Sequence, residues 1–553
     1  MEADSLLDLT QLESLAEGEA TWEDQSRLLR PAASSEPKTS VLVRTRTAWI
    51  INSRSKPTRP LGTGLSQRIQ FIMLLGSHLQ FNFVLGKDRW EPFFRSRGDS
   101  WLGYEQVRGF GTYSRGAWSL IAGHYRINHG HRLVSGTTSI QSISASSVFR
   151  HPATLVSASG YSGTAANPVR RGILVQYSGA ITFLLFGSST RTPASLRTVQ
   201  TTPSLVENHV FDISTTTAFT SPASIERRAR LQIRSSGFTA SWKRRKSSTG
   251  AFFERVNIYD RQSDTQFPQR LHFAVSQDVR SSWLRGSIEM ASTDWQMVDS
   301  KGSVRINWKN RGTFTLGFRF LAGERGAVFG LERKLNRSAL RARRVVIAWR
   351  TSFGEKQEWS IGVVSEQETL PGPPYREIGQ KGFVLLRIRP HDAWDLRMYL
   401  TLKTSSDSFS TSSWYAHLKQ TSGARLSAFF RVDRRTSLRA EYQARSLRGA
   451  EANGSVQLVK SQMSHSRRHF SISTALSHIY GNGHRVSVYF SEPTVSHSFP
   501  LVSASRPSSR FALHLKSKPL RAMQFEASYR SSILRSEHSR TRNITLSISY
   551  MSD

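Results

Sequence analysis

Three histidines in a short run, His124, His129 and His131, are the first residues whose types and spacing could do chemistry. Imidazoles a few positions apart are common zinc ligands. Their spacing argues against a shared metal. In an extended strand His129 and His131 lie on one face and His124 on the other, and no nearby carboxylate completes the set. Two histidine–serine pairings, His465-Ser466 and His469-Phe470-Ser471, have the types for nucleophilic hydrolysis. Neither has an Asn or Asp at hand to orient the imidazole, and in so serine-rich a chain such pairs arise by chance. There is no P-loop, dinucleotide fingerprint or HExxH motif. The sequence therefore leads to no catalytic residue, no metal and no cofactor.

What remains is the chemistry of positive charge. The 553 residues carry 76 Lys+Arg against 40 Asp+Glu, a formal net charge of +36. A nucleic-acid module concentrates such charge on one face or in one tail. Here it is spread thinly, apart from residues 1–30, which hold eight acidic residues and two arginines. The densest clusters are Trp242-Lys243-Arg244-Arg245-Lys246 and Arg341-Ala342-Arg343-Arg344, suited to solvated loops or to strand ends that meet anionic head groups. More telling are Arg397, Arg425, Arg431, Arg439 and Arg445, which recur on one face of alternating segments. Such arginines either attract anions or pair with Asp395, Asp433 and Glu441 across strands.

The elements that must position these residues are strands. Trp394, Leu396, Met398, Leu400 and Leu402 alternate with Asp395, Arg397, Tyr399, Thr401 and Lys403. Ala424, Leu426, Ala428, Phe430 and Val432 alternate with Arg425, Ser427, Phe429, Arg431 and Asp433. The same period of two returns through Met523, Phe525, Ala527 and Tyr529 and through Ile544, Leu546, Ile548 and Tyr550. Each segment is a strand with one apolar and one polar face. Hydrophobic residues make up only 38% of the chain while aromatics reach 10%, including 13 Trp, so apolar side chains are dispersed rather than absent. There is no cysteine, which excludes disulfides and thiol chemistry. No run approaches the roughly 20 apolar residues of a transmembrane helix, and no signal peptide is visible.

Two architectures produce such strands: a soluble sandwich or solenoid with its apolar faces inward, or a transmembrane barrel with them outward. Strands of about 9–11 residues suit a tilted membrane strand. Trp308, Trp349, Trp359, Trp394, Trp414 and Tyr480 near strand ends suit an interfacial girdle. The expected fold is all-β: a transmembrane antiparallel barrel over 41–553 with on the order of 20 strands. Ahead of it, capping boxes at Ser5 and Thr21 and the leucines between them predict a short helical hairpin over 1–30, with a Pro/Ser-rich linker over 31–40.

Residues 76–136 carry a family resemblance. Gly86-Lys87-Asp88-Arg89-Trp90-Glu91-Pro92 is similar to a K-D-x-G-E-P turn. Gly123-His124-Tyr125-Arg126-Ile127-Asn128-His129-Gly130-His131-Arg132-Leu133-Val134-Ser135-Gly136 resembles a G-D-Y-R-x-x-x-G-Q-G-L-x-x-G strand. Arg171-Gly172 opens a segment like an R-G-x-A strand. These motifs belong to bacterial outer-membrane barrel proteins with an N-terminal helix-hairpin-helix segment, and the resemblance covers residues 1–190. Lys87, Asp88, Glu91, Pro92, Gly123, Tyr125, Arg126, Gly130, Leu133, Gly136, Arg171 and Gly172 match. His124 replaces the family's Asp, His131 its Gln, Arg132 a Gly and Trp90 another Gly, so any site built on those positions is altered here. In the hairpin, Glu17-Gly18-Glu19 stands where a DNA-gripping turn carries two glycines, and its acids would repel phosphate.

The resemblance implies an outer-membrane location and contact with membrane lipid and lipopolysaccharide. The expected function is a pore, transport component or structural barrel whose basic interior favours anionic solutes, with no enzymatic role. Nucleic acid is not an expected partner of that barrel. The alternative is a soluble basic β-rich protein that binds nucleic acid or acidic polysaccharide.

Overall fold

The computed structural model describes residues 39–51, 65–87, 106–129, 156–161, 169–192, 194–199, 208–213, 231–261, 264–267, 269–293, 297–308, 312–321, 341–353, 356–370, 375–408, 418–448, 453–467, 469–482, 487–493, 501–520, 523–534 and 539–552. The expected hairpin over 1–30 lies outside them, and of the expected linker Ser40 already belongs to the first strand.

Among the described residues, successive wall strands pair antiparallel. Ser40–Ile51 pairs with Leu65–Leu75 on one side and with Ser539–Ser552 on the other, which closes the sheet. The ring has 24 strands, more than the number expected. The difference comes from the connections on one rim, which are reduced to turns such as 76–78, 116–117, 179–180, 244–246, 281–283 and 432–435. The opposite rim carries the long connections, among them 130–169, 193–230 and 483–507. Ser40 and Ser552, at the closing seam, stand on the tight-turn rim.

The side chains sort by alternation. Ile173, Leu185, Ile361, Val363, Leu402 and Leu546 are exposed, whereas their neighbours Leu174, Leu184, Val364 and Thr545 are buried. The apolar faces of the strands therefore point outward, and the sandwich and solenoid readings fall. Aromatic rungs cross the outer face from strand to strand, with Phe238 stacked between Phe183 (6.3 Å) and Phe253 (5.8 Å). Exposed Trp118, Trp242, Trp283, Trp308, Trp349, Trp359 and Trp394 all lie toward the tight-turn rim. Of the other expected girdle residues, Tyr480 sits at the opposite rim and Trp414 lies outside the described residues.

Among the described residues, Ala194–Val199 pairs with Asn208–Ile213 apart from the ring, and two other stretches leave the wall and fold into the lumen. Trp118–His129 pairs with Arg170–Ser178 only as far as Tyr125; beyond it, Tyr125–His129 pairs with Val156–Gly160 instead. Ile127 and Val156 then pack with inward-facing Leu184, Phe252, Ala274 and Ala291. In the second stretch, Val488–Ser491 pairs with Leu501–Ala504, and Val488 and Phe490 pack on Val456, Leu458 and Ile479 of the wall.

Candidate functional site on the lumen wall

Arg397, Arg425, Arg431, Arg439 and Arg445 all occupy the inward register, opposite in phase to exposed Leu400, Leu402, Leu426 and Leu438. Arg397 shares Asp395 with Arg387, which faces it directly across the strands. Asp395 accepts from Arg397 Nη2 at 2.9 Å and from Arg387 Nε at 3.0 Å. Glu441 lies between Arg425 (2.8 Å) and Arg439 (3.7 Å), with its carboxylate fully buried. Lys460 stands directly opposite Glu441 on the next strand. Arg445 donates instead to the carbonyl of Ser487 at 2.9 Å, tying the second inward stretch to the wall. Arg431 is at the tight-turn rim, exposed.

Asp433 does not reach an arginine side chain. It accepts the backbone N–H groups of Arg435 (2.5 Å) and Thr436 (2.7 Å), closing the 432–435 turn. Those donors hold its carboxyl below the ordinary carboxylate value.

A third bridging carboxylate was not foreseen. Glu492, 1% exposed, ends the inward hairpin between Arg510 (2.7 Å) and Arg530 (3.8 Å). The two arginines were legible, because Arg510 and Arg530 are out of phase with outward Phe511 and Tyr529. Glu492 was not legible, because it comes from a connection with no period.

The motif residues come together as a structural joint. Gly123 faces Gly172, His124 faces Arg171 and Tyr125 faces Arg170. Gly123 takes φ +108°, and a Cβ there would strike the carbonyl of Gly109. At Gly172 a Cβ would strike the carbonyl oxygen of Gly187. Fully buried Tyr125 donates its hydroxyl to that same Gly187 carbonyl at 3.0 Å. Arg126 stacks over Tyr161, 3.6 Å from the ring centre. Arg170 next door makes a bidentate buried pair with Glu254, donating from Nε to Oε1 at 3.1 Å and from Nη2 to Oε2 at 2.9 Å. The motif thus marks where a wall strand bends into the lumen. Lys87 is buried and donates to the carbonyl of Leu65 at 2.8 Å. Asp88, Glu91, Pro92, Gly130, Leu133 and Gly136 lie outside the described residues.

The histidines separate as their spacing requires. His124 Nδ1 lies against both the N–H (3.2 Å) and the carbonyl oxygen (3.0 Å) of Gly109, while His129 is buried with hydroxyls on both ring nitrogens, Thr239 and Ser276, each at 3.2 Å. His131 lies outside the described residues. The cluster Trp242-Lys243-Arg244-Arg245-Lys246 is on the tight-turn rim, with the Arg244 guanidinium 4.0 Å from the Trp242 ring centre. The 341–344 cluster is at the opposite rim.

No family model and no curated protein matches the sequence. Among solved structures, the chain is similar to the siderophore receptor PirA from Acinetobacter baumannii, at 9% identity, covering 94% of this chain and 81% of that one, TM-score 0.45. It is similar to the copper transporter OprC at 9% identity, covering 94% and 82%, TM-score 0.41. It is also similar to Pseudomonas aeruginosa OccK2 (OpdF), solved in complex with glucuronate, at 13% identity, covering 58% and 91%, TM-score 0.32.

Proposed function

We propose that this chain is an outer-membrane transport barrel whose narrowed, basic lumen passes anionic solutes. The membrane part of the reading rests on the outward apolar face, the aromatic girdle and the contrast between tight turns on one rim and long connections on the other. The observation that carries the anion preference is the imbalance on the inner wall. Toward the tight-turn half, inward Arg280, Arg285, Arg305, Arg350, Arg387, Arg397, Arg425, Arg439 and Lys516 outnumber inward Asp278, Glu358, Asp395, Glu441 and Glu526. Local pairing leaves an excess of positive charge, and rings of arginine favour anions over cations.

At the rims, Arg244 on Trp242 offers a cation beside an interfacial aromatic, suited to the phosphate of a lipid head group. In the outer-membrane orientation, tight turns face the periplasm, so this cluster meets phospholipid, and the 341–344 cluster meets lipopolysaccharide. The soluble polyanion-binding alternative would need an outer surface that water tolerates, and the outward leucines, isoleucines and tryptophans do not supply one.

Cell fractionation followed by electrophoresis of heated and unheated detergent extract tests the placement. The expected result is outer-membrane partition with mobility that changes on heating. Recovery of folded chain in the detergent-free aqueous fraction would overturn it.

A further inference from the structure

Three times on the inner wall, two arginines from neighbouring strands share one carboxylate. Asp395 serves Arg387 and Arg397, Glu441 serves Arg425 and Arg439, and Glu492 serves Arg510 and Arg530. A fourth pair departs from this plan. Arg285 and Arg305 face each other directly across the strands Leu284–Thr293 and Met297–Trp308. Both occupy the inward register, opposite in phase to exposed Ile288, Met290 and Val304. Like charges directly opposite on a sheet destabilise it unless something stands between them. Among the described residues no carboxylate bonds either one. Their Nε atoms are buried, without a hydrogen-bond partner.

The next residue in the same cross-strand row is Thr315, directly opposite Arg305 and 1% exposed. Its hydroxyl is also buried without a partner. Arg350 lies close enough to Arg305 to act on it electrostatically, but is itself paired with Glu358 at 2.8 Å. On its other side Arg285 faces Arg280, which is paired with Asp278. Beyond that pair, the row presents two guanidinium forks and a hydroxyl, all donors, at one height of the wall.

We propose that Arg285, Arg305 and Thr315 form a binding site for the carboxylate group of a solute in transit. The solute supplies in trans what Asp395, Glu441 and Glu492 supply in cis. Guanidinium forks match a carboxylate in bidentate geometry, which makes this a recognition site rather than only a diffuse positive field. The proposal rests on the anion-favouring reading of the lumen and gives it a substrate class and a place.

The test is calorimetric titration of the detergent-solubilised full chain with succinate, using neutral succinamide as the comparison. Saturable succinate binding is expected, with none for succinamide. In R285S/R305S the succinate affinity should fall at least about tenfold, the worth of one or two lost charge-assisted hydrogen bonds. R244S, in a turn on the tight-turn rim, should bind as the parent does. Thr315→Asp is the second variant, since it places a carboxylate beside Arg305 without adding bulk. It should keep heat-modifiable mobility and lose succinate binding. Absent binding by the parent, or parental affinity in either R285S/R305S or T315D, would overturn the site. Planar-bilayer selectivity is read separately: binding lost in the variants without anion selectivity in the parent would retain the site and reject the anion-pore reading.

Discussion

The two described stretches that fold into the lumen are held by different physics. At Tyr125–His129 and Val156–Gly160 the contacts are dry: Ile127, Val156 and Phe252 pack together, His129 sits between two hydroxyls, and the Gly123–Gly172 contact lets the strand bend. At Val488–Ser491 and Leu501–Ala504 an apolar contact is supplemented by a charge clamp, Glu492 between two arginines that are about one-fifth exposed. Dry packing responds little to salt, whereas a part-solvated ion clamp is screened by it. The difference separates a fixed part of the lumen from an adjustable one.

The strongest way to break that comparison is at the joint. Gly172→Val puts side-chain atoms into the backbone of Gly187 and Ser188, which cannot move without parting the sheet. The expected outcome is a chain that fails to refold, read as loss of heat-modifiable mobility. Folded protein with parental stability would show that the joint is not close-packed.

Next in size is Glu254→Gln, which leaves the buried Arg170 charge without its counter-ion. The expected destabilisation is about 3–5 kcal/mol, read from denaturant unfolding in detergent. A Glu254→Leu, Arg170→Met double variant should recover most of it, because the cost lies in the uncompensated charge.

Glu492→Gln should cost less, since Arg510 and Arg530 keep some water when their partner is neutralised. Its signature is functional. Single-channel conductance should rise, protease access at 483–507 should increase, and 1 M salt should mimic both effects in the parent but not in the variant. Equal conductance of parent and variant at all salt concentrations would remove the clamp from the account.

The smallest effect belongs to Asp433→Asn, in a turn outside both stretches. The folded state holds this carboxyl below its ordinary value, so its stabilisation is present above the unfolded value, about 4, and is lost as pH falls through the depressed folded one. The parent should be slightly more stable than the variant at neutral pH. The gap should close on acidification, measured by thermal melts across pH.

Much of the wall was legible in the sequence. The alternation of Trp394–Leu402, Ala424–Val432 and Ile544–Tyr550 put Arg397, Arg425 and Arg439 on the face opposite the apolar side chains, because a period of two separates faces without any tertiary information; which face turns outward followed only from closure into a barrel. Closure of Ser40–Ile51 on Ser539–Ser552 was not legible, since it joins the two ends of the ring. Nor was the bend after Gly123: Tyr125–His129 alternates like any wall strand, and only the missing partner beyond Arg170 sends it inward. Glu492 and the Arg285–Arg305 row depend on which strands become neighbours. Local pattern carries no such information.

The most direct test of the central claim is the reversal potential of the purified chain in a planar bilayer across a tenfold KCl gradient. The account predicts ion-conducting insertion with a reversal potential of the sign that marks chloride over potassium. A cation-selective reversal potential, or the absence of conductance from heat-modifiable, membrane-inserted protein, would contradict it.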